Sequence, residues 1–530
     1  MPMWQQFSRS MGFAKADDGY LEYINQPPAE RGNRLCVSVS DIHLTDGTVG
    51  FQNLSNHVWE SFYNSLLARC KNYHIDEVLF VLDGDIVDMI RSSRWAEHGV
   101  YPWQREKVQE FSAIVNQIIQ DIVEVQHAEF FKLLRELPGC LKRDANVQQV
   151  KIVITVGNHD KELFCDQQAL AYFYETALGI RLEDIDIEER RAIGRMYGNE
   201  SQFTDPLSAP YLPFYYGDTG FRFFTTHGQW RDKENSRAIP EEGDVPGWSA
   251  ADGWQIEHWQ KLGFAPFFEP CFGDSVAAGV LSTFIYKVKQ QLADHHDTDE
   301  RLLSILDELD LYRPTYAALN RILQETAEMR DEGRGAHAVK IIESTLYDCI
   351  IQWLSWDFTY QTSPVWRQWG FIFAKWALQK MHRYGKGLEI TAIAGLMKLL
   401  AFFSQHHKQT LRLRDMRQFP AFLPEYRHYG FQIHGEGHTH VPLEEQPNIG
   451  GKHPSTYINF GTWRDQIIPR KNSGYRRQGV LRAFYILDLV NNSARVKGPE
   501  RAFDYFVEDM VNWGDFKDAM DSSNKAQPKI

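Results

Sequence analysis

Short apolar runs that end abruptly in Asp, Gly or His are the feature that most constrains the fold of this chain. Four such runs, rich in β-branched or aromatic residues, occupy positions 35–40, 78–82, 150–156 and 221–226. Continuous apolar runs of this length are typical of strands that are covered on both faces, as in a layered α/β protein. We therefore predict an α/β fold whose strands carry polar residues at their carboxyl ends.

A short motif of potential metal ligands follows each of these runs, and a fifth follows a later β signal. In chain order the motifs are Asp41-Ile42-His43, Gly84-Asp85-Ile86-Val87-Asp88, Gly157-Asn158-His159-Asp160, His227-Gly228 and Gly437-His438-Thr439-His440. Open α/β sheets bind ligands at the carboxyl ends of their strands. Carboxylate, amide and imidazole groups suit divalent metal ions, and this set is large enough for two adjacent ions. The motifs therefore predict a dinuclear metal site.

The spacing within the motifs indicates how side chains could share an ion. Asp41 and His43 are two residues apart, so they point the same way from an extended segment. His438 and His440 repeat this spacing. Asp85 directly follows a glycine, and its two carboxylate oxygens could each bind a different cation. An isolated Asp-x-His pair is more often a strand-end aspartate beside a surface histidine, so the prediction depends on the joint pattern.

The third motif offers both a ligand and a proton donor. Asn158 supplies a neutral amide oxygen, and His159 is a candidate for general acid catalysis. Asp88 need not contact metal, and its structural alternative is a helix N-cap. For Asp160 the preferred interpretation is a loop or capping contact.

Taken together, the ordered motifs resemble the calcineurin-like metallophosphoesterase family, which is known by D-x-H, G-D-x-x-D, G-N-H-D/E, H-G and G-H-x-H in this order. The resemblance covers residues 35–230 and 431–489. It implies an α/β fold that forms a four-layer sandwich of two mixed sheets flanked by helices. It also implies a dinuclear, metal-dependent hydrolase that cleaves a phosphodiester, pyrophosphate or phosphomonoester bond by attack of a metal-bound hydroxide.

The same resemblance assigns roles to individual residues. It implies one divalent ion held by Asp41, His43, Asp85 and His440, and a second held by Asp85, Asn158, His227 and His438. Mn, Fe and Zn are the expected metals, because this ligand set suits all three and availability decides between them. His159 would protonate the leaving group, and Asp88 would orient its imidazole.

The sequence constrains the substrate less than the metals. The family's protein phosphatases carry Arg directly after G-D-x-x-D, whereas this chain has Met89. Arg91 and Arg94 are candidates for binding phosphate oxygens, and two solvated arginines are the alternative. Residues 84–95 loosely resemble a bacterial branch that includes UDP-diacylglucosamine hydrolases, although those enzymes often carry Arg where this chain has His159. We expect a small-molecule or lipid-linked phosphate ester.

Two further segments resemble bacterial members of the family. Residues 227–235 match an H-G-x-x-x-D-x-x-N loop, and residues 459–463 match an N-x-G-T-W strand. Both segments support membership in the family. Neither of them identifies a substrate.

A helical insertion divides the predicted catalytic unit. Residues 105–137 have apolar positions three and four apart, which predicts a helix between the second and third motifs. Long periodic segments with little strand character then dominate residues 256–417. The predicted divisions are an N-terminal segment (1–32), the first part of the metallophosphoesterase domain (33–240), a helical insertion or cap (241–427), the second part of that domain (428–515) and a flexible tail (516–530).

Tryptophans are concentrated in and before the insertion. Five lie within one short helical region, Trp353, Trp356, Trp366, Trp369 and Trp376, and three lie near its start, Trp248, Trp254 and Trp259. Aromatic residues at helical spacing usually form core, and this is the preferred interpretation. The alternative is a helical cap over the metal site, lined by aromatic side chains that contact the substrate.

Composition and charge limit the possible partners and the compartment of the protein. The formal net charge of -13 argues against general affinity for nucleic acid or anionic membranes. The six cysteines lack C-x-x-C spacing and suit reduced thiols. The N-terminus lacks an apolar signal segment, and the apolar stretch 390–403 is too short to span a bilayer. We expect a soluble, cytoplasmic protein of undetermined oligomeric state. A nuclease and a non-catalytic scaffold of the same fold are the alternative functions.

Overall fold

The computed structural model describes residues 23–50, 54–197, 205–232, 234–235, 269–293, 300–313, 315–333, 335–363, 365–383, 429–446, 456–470, 474–479, 481–490 and 503–510. Within these residues the chain is a mixed α/β protein with two mixed sheets and a group of helices between its two strand-forming parts. The predictions for the tail, for the apolar stretch 390–403 and for Trp248, Trp254 and Trp259 fall outside the described residues.

Two sheets carry the strands that the sequence predicts. The strands are β1 (Ile24–Asn25), β2 (Arg34–Val39), β3 (Glu77–Asp83), β4 (Gln149–Thr155), β5 (Tyr215–Asp218), β6 (Phe223–Thr226), β7 (Ile433–Glu436), β8 (Leu443–Glu445), β9 (Thr456–Asn459), β10 (Gln466–Pro469), β11 (Tyr475–Gln478), β12 (Leu481–Asp488) and β13 (Phe503–Met510). One sheet has the order β13-β12-β2-β3-β4, and the other has the order β1-β5-β6-β7-β9-β8. Strands β10 and β11 form a separate antiparallel pair.

The helices flank the first sheet and fill the region between β6 and β7. They are α1 (Asn56–Asn72), α2 (Arg94–His98), α3 (Val108–Gln120), α4 (Ala128–Ala145), α5 (Gln167–Tyr172), α6 (Ile187–Met196), α7 (Phe272–Asp274), α8 (Thr283–Ala293), α9 (Glu300–Glu308), α10 (Thr315–Asp331), α11 (Ala336–Trp353), α12 (Asp357–Gln361) and α13 (Val365–Arg383). Helix α1 packs on the first sheet, where the ring of Phe62 lies 5.8 Å from that of Phe80.

Parallel pairing brings the predicted strand ends together. Strands β2, β3 and β4 are parallel neighbours, so their carboxyl ends meet at one edge of the sheet. Strands β6, β7 and β9 are likewise parallel neighbours in the second sheet. The two sheets face each other across aromatic contacts, with the Phe484 ring 6.1 Å from Phe223 and 5.9 Å from Phe460. All five motifs consequently begin at ends of strands from two packed sheets.

The helix predicted over residues 105–137 is two helices. A π-helical turn, Asp121–Gln126, ends α3, and α4 begins at Ala128. Each π turn adds a residue to the helical repeat, which changes the face that later side chains present. Val108, which the periodicity placed on the buried face, is 68% exposed. The inner positions of α3, such as Phe111 and Ile118, are buried as predicted.

The described elements between β6 and β7 are all helical, as predicted, and they form a second apolar core. Trp353 belongs to this core, and the ring of Trp356 packs 4.9 Å from that of Trp103. The core interpretation is therefore confirmed for these two tryptophans. It is wrong for Trp369 and Trp376, which are 69% and 54% exposed. Among the described residues, none of the helices has the length and apolar character needed to cross a bilayer.

Candidate metal centre

The backbone is strained where the motifs meet. Eight non-glycine residues in the described part of the chain have positive φ, and five of them are predicted ligands, namely Asp41, His43, Asp85, His438 and His440. The left-handed region disfavours residues with a Cβ, and such strain persists only where the surrounding structure enforces it. Concentration of strain at these five positions is typical of a functional site.

Four predicted ligands form a first group. Nε2 of His440 lies 3.0 Å from Oδ1 of Asp41 and 3.0 Å from Nε2 of His43. The same nitrogen of His43 lies 3.8 Å from Oδ1 of Asp41 and 3.7 Å from Oδ2 of Asp85. Asp41, His43 and Asp85 are buried, whereas the side chain of His440 is 12% exposed. These four side chains could together hold a metal ion.

A second group shares Asp85 with the first. Nε2 of His227 lies 3.2 Å from Oδ2 of Asp85, and His438 completes this cluster. Nδ1 of His438 lies 2.9 Å from the amide oxygen of Asn158. The structure therefore brings all seven sequence-predicted ligands together, with Asp85 between the two groups.

Hydrogen bonds to the far side of two imidazoles fix which nitrogen faces the centre. Nδ1 of His43 lies 3.1 Å from Oδ2 of Asp88, and Nδ1 of His227 lies 2.8 Å from the carbonyl oxygen of Asp83. In each ring Nδ1 is therefore the donor, and Nε2 of the neutral ring carries a lone pair toward the other ligands.

Two atoms that face the centre lack a hydrogen-bond partner among the described residues. They are Nε2 of His227 and Oδ1 of Asp41, and both are buried. Ligand atoms about 2.1 Å from one ion lie about 3.0 to 3.4 Å from each other, which matches the shortest separations here. Acceptors this close need a positive charge between them. Burial would lower the pKa of His227, but the charges of Asp85 and Asp41 outweigh burial and raise it well above its usual value, so a proton supplies that charge when no metal is bound. A divalent ion would replace the proton, and the spacing of these residues fits a pair of such ions.

The charges of the buried groups lead to the same conclusion. Burial alone would raise the pKa values of Asp41, Asp85 and Asp88, but neighbouring imidazoles outweigh burial and hold all three pKa values below the usual range. Three ionised carboxylates thus share one site at neutral pH. Burial lowers the pKa of His440 to about 3, so this imidazole is neutral, which is its metal-binding form.

Asp88 connects the first group to His159. Its Oδ1 lies 2.7 Å from Nδ1 of His159, and its Oδ2 lies 3.1 Å from Nδ1 of His43. Oδ1 also accepts a hydrogen bond from the backbone N–H of Arg91. This contact lies in a turn, and the next helix begins at Arg94 with Ser93 as its N-cap, so Asp88 is not the helix N-cap of the alternative interpretation. Burial lowers the pKa of His159, and the charge of Asp88 opposes that shift. The side chain of His159 is 11% exposed and lies on the open side of the site with His438 and His440.

Glycines allow the motifs to approach one another. A Cβ at Gly157 would collide with the carboxylate of Asp85, and one at Gly437 would collide with Asp41 and Ser40. No larger residue fits at either position without displacing a predicted ligand. The glycines of the motifs thus have a steric role beside the ligands.

Asp160 supports the loop that carries Asp85. Its buried carboxylate accepts hydrogen bonds from the backbone N–H groups of Asp85, Val87 and Gly157 at 2.6, 3.0 and 3.0 Å. The predicted loop contact is therefore confirmed. Burial and the charge of Asp85 raise the pKa of Asp160 to about 7.

We predict that Asp160→Ala destabilises the metal-free protein by about 3 kcal/mol, because three buried N–H groups lose their acceptor and each costs about 1 kcal/mol or more. The measurement is urea unfolding at neutral pH in excess chelator, which removes any contribution from bound metal. The matched control is Asp144→Ala, since Asp144 is exposed and pairs only with its neighbour Arg143. Equal stability losses in the two variants would contradict the supporting role of Asp160.

Two segments outside the five motifs hold the ligands in place. Oδ2 of Asp232 lies 3.1 Å from Nε2 of His438 and accepts a hydrogen bond from Asn235. Nδ2 of Asn459 donates to the carbonyl oxygen of Gly437 at 2.6 Å. These residues belong to the H-G-x-x-x-D-x-x-N and N-x-G-T-W segments. In the sequence these two segments supported only membership in the family. Their contacts in the structure show that they position the ligands.

The two predicted phosphate-binding arginines occupy different places. Nε of Arg91 lies 3.6 Å from Oδ2 of Asp88, next to the site. Arg94 instead forms an ion pair with Asp121 and lies 3.9 Å from Asp46. The guanidinium group of Arg94 is therefore already paired with carboxylates, and its contacts give no support to a role in substrate binding.

Two arginines that the sequence did not single out gather beside Arg91. Arg464 and Asp310 form an ion pair, and Nη1 of Arg91 lies 3.6 Å from the same carboxylate. Nη1 of Arg313 donates to the carbonyl oxygen of Asp310 at 2.6 Å. We call Arg91, Arg313 and Arg464 the arginine cluster. No motif marks Arg313 and Arg464, since one lies in the insertion and the other follows β9.

The arginine cluster concentrates positive charge beside the candidate metal centre. Three guanidinium groups face Asp310 and Asp88, and Asp88 already holds two imidazoles. Burial lowers the pKa of Arg313, and the positive charges of Arg91 and Arg464 lower it further. Guanidinium groups gathered in this way favour a bound anion.

No protein-family model matches the chain, and searches of curated proteins and of solved structures find no match either.

Proposed function

We propose that this chain is a dinuclear, metal-dependent phosphoesterase of the calcineurin-like metallophosphoesterase family, with the four-layer sandwich fold of that family. Its substrate would be a phosphodiester, pyrophosphate or phosphomonoester of a small or lipid-linked molecule. The observation that carries the proposal is Asp85, whose carboxylate belongs to both ligand groups. A single shared carboxylate between two such groups is the arrangement that a two-metal hydrolase needs.

Each ligand group would hold one divalent ion, of which Mn, Fe and Zn are the candidates. Such a pair supplies a nucleophile from water at neutral pH and offsets the negative charge that builds on a phosphoryl group. The protein fixes the pair through the strained segments at Asp41, Asp85 and His440. Asp160 and Asp232 in turn support the loop that carries Asp85 and the imidazole of His438.

The residues around the ions would carry the rest of the reaction. His159 lies on the open side of the site, where its imidazolium form would donate the proton on Nε2 to the departing oxygen and become neutral, while Nδ1 still donates to Asp88. The charge of Asp88 favours the imidazolium form. The arginine cluster, next to Asp88, would attract the negatively charged substrate and bind phosphate oxygens. Together these contacts favour anionic phosphate esters over neutral substrates.

The test is a panel of nitrophenyl mono- and diesters, nucleotides, cyclic nucleotides and sugar nucleotides, each assayed with Mn, Fe and Zn. We expect hydrolysis of at least one phosphate ester, its loss on chelation, and its return when metal is added back. Two bound ions per chain in the active protein would accompany that activity. Metal content near zero, with no hydrolysis under any condition, would favour the non-catalytic scaffold. Cleavage limited to oligonucleotides would favour the nuclease.

A further inference from the structure

Helix α13 is apolar on two opposite faces. Its inner face packs on the insertion core through Phe371, Ala374 and Leu378, which are 1%, 1% and 3% exposed. The Phe371 ring lies 5.1 Å from that of Trp353. This face holds the helix against the insertion core.

The outer face of α13 is exposed. It consists of Val365, Trp369, Ile372, Phe373 and Trp376, with exposures of 66, 69, 50, 60 and 54%. These positions are three and four residues apart, so they form one stripe, which we call the aromatic face. Five of the eleven exposed large hydrophobic side chains among the described residues lie on this one helix. Contiguous exposed apolar surface of this kind marks an interaction site.

The charge of the helix indicates what this face meets. Helix α13 contains Arg367, Lys375, Lys380 and Arg383 and no acidic residue, although the whole chain has a formal net charge of -13. Arg367 is used internally, in an ion pair with Glu234 at 2.8 Å. Lys380 and Arg383 are exposed, and the ammonium group of Lys380 lies 4.8 Å from the centre of the Trp376 ring. The aromatic face thus ends beside two exposed cations.

We propose that the aromatic face of α13 docks on the surface of an anionic lipid bilayer. Trp, Phe and Ile on one face of a helix with basic flanks are the composition of helices that lie in the membrane interface. Trp369 and Trp376 would enter the headgroup region, and Lys380 and Arg383 would contact lipid phosphates. This docking is peripheral, and it does not depend on the proposed hydrolysis.

A second copy of the chain suits this face less well. A symmetric dimer through α13 would place the same patch on both sides of the contact. Whichever way the two helices ran, the facing helix would offer Lys380 and Arg383 no acidic residue to compensate their charge. Anionic lipid supplies the opposite charge and the apolar environment together.

The experiment is co-sedimentation of the full chain with vesicles of phosphatidylcholine, with and without phosphatidylglycerol. We expect binding to the vesicles that contain phosphatidylglycerol, and weaker binding at high salt. Trp369→Gln combined with Trp376→Gln should lower the partition coefficient at least roughly tenfold, because two large apolar side chains no longer enter the membrane. Lys380→Glu combined with Arg383→Glu should cause a loss of similar size.

The matched control is Val108→Gln combined with Val125→Gln, since both valines are exposed on another helical segment, at 68% and 66%. This variant should bind vesicles like the unmodified chain. Circular dichroism and thermal unfolding verify that each variant is folded. Absence of vesicle binding by the unmodified chain would overturn the proposal, as would equal binding by the tryptophan variant. A dimer in solution that dissociates in the tryptophan variant would identify a second copy as the occupant and overturn it too.

Discussion

Asp85→Asn should lower hydrolysis of a nitrophenyl phosphate ester by more than about a hundredfold. Replacing a residue that only supports a metal ligand lowers metal affinity or activity by about 10- to 100-fold, and replacing a ligand should lower it further. Asp85 Oδ2 lies 3.2 Å from Nε2 of His227 and 3.7 Å from Nε2 of His43, so the replacement affects both ligand groups. An amide offers one neutral oxygen in place of two charged ones, and it cannot bridge two cations with the same strength. Bound metal, measured by elemental analysis after gel filtration, should decrease in parallel with activity.

Asp83→Asn is the matched control for this variant. Asp83 is buried two residues earlier, and its carboxylate accepts a hydrogen bond from Thr155 at 2.7 Å and belongs to neither ligand group. Burial raises the pKa of Asp83 to about 7, so a neutral amide is close to its protonated form. We expect this variant to keep most of its metal and activity. Full metal content in Asp85→Asn, or an equal loss in Asp83→Asn, would end the case for a shared carboxylate.

Replacement of His159 should separate substrates by their leaving group. His159→Gln should slow hydrolysis of alkyl phosphate esters by about 10² to 10⁴, since an alkoxide needs a proton as it departs. Nitrophenyl esters, whose leaving group is stable as an anion, should lose less than about tenfold. Metal content should be unchanged, because His159 contacts Asp88 and belongs to neither of the two groups around Asp85. Steady-state kinetics with a matched pair of alkyl and nitrophenyl esters provide the measurement.

His127→Gln provides the comparison for that experiment. His127 is a partly buried histidine whose Nε2 lies 3.0 Å from the carbonyl oxygen of Thr45, and it belongs to neither ligand group. This variant should affect both substrates alike and only slightly. If His159→Gln slowed alkyl and nitrophenyl esters by the same factor, His159 would have no role as a proton donor.

The parts of the site that could be predicted from sequence are those encoded locally. A buried strand followed at once by Asp85 or His227 places that side chain at the end of a parallel strand, whatever the rest of the chain does. Residue spacing also predicts which side chains lie together within one motif. These local rules predicted the strands of both sheets near the site and the position of the motifs at their ends. The grouping of the seven ligands around two ions came from the resemblance to the metallophosphoesterase family.

Residues that join distant segments could not be predicted in this way. Arg464 and Asp310 are 154 positions apart, and nothing in the sequence near either one indicates the pair. Closeness in sequence can also mislead. Arg94 is near Asp88 in the sequence, yet its guanidinium group pairs with Asp121 and not with a residue of the site. The π-helical turn after α3 could not be predicted from the sequence either, because apolar residues at three- and four-residue spacing continue through it. Only tertiary contacts determine these features.

The order of strands in the first sheet has a consequence for biosynthesis. Strand β2, which leads into Asp41, lies between β3 and β12, and β12 pairs with it from residues more than 440 positions later. Until the ribosome has released that distant segment, one edge of β2 has no neighbour and stays open to wrong partners. His440 also arrives 397 residues after His43. The candidate metal centre therefore cannot assemble until the segments that carry His440 and β12 have been synthesised, and a chain that stops before them would leave an aggregation-prone edge on β2.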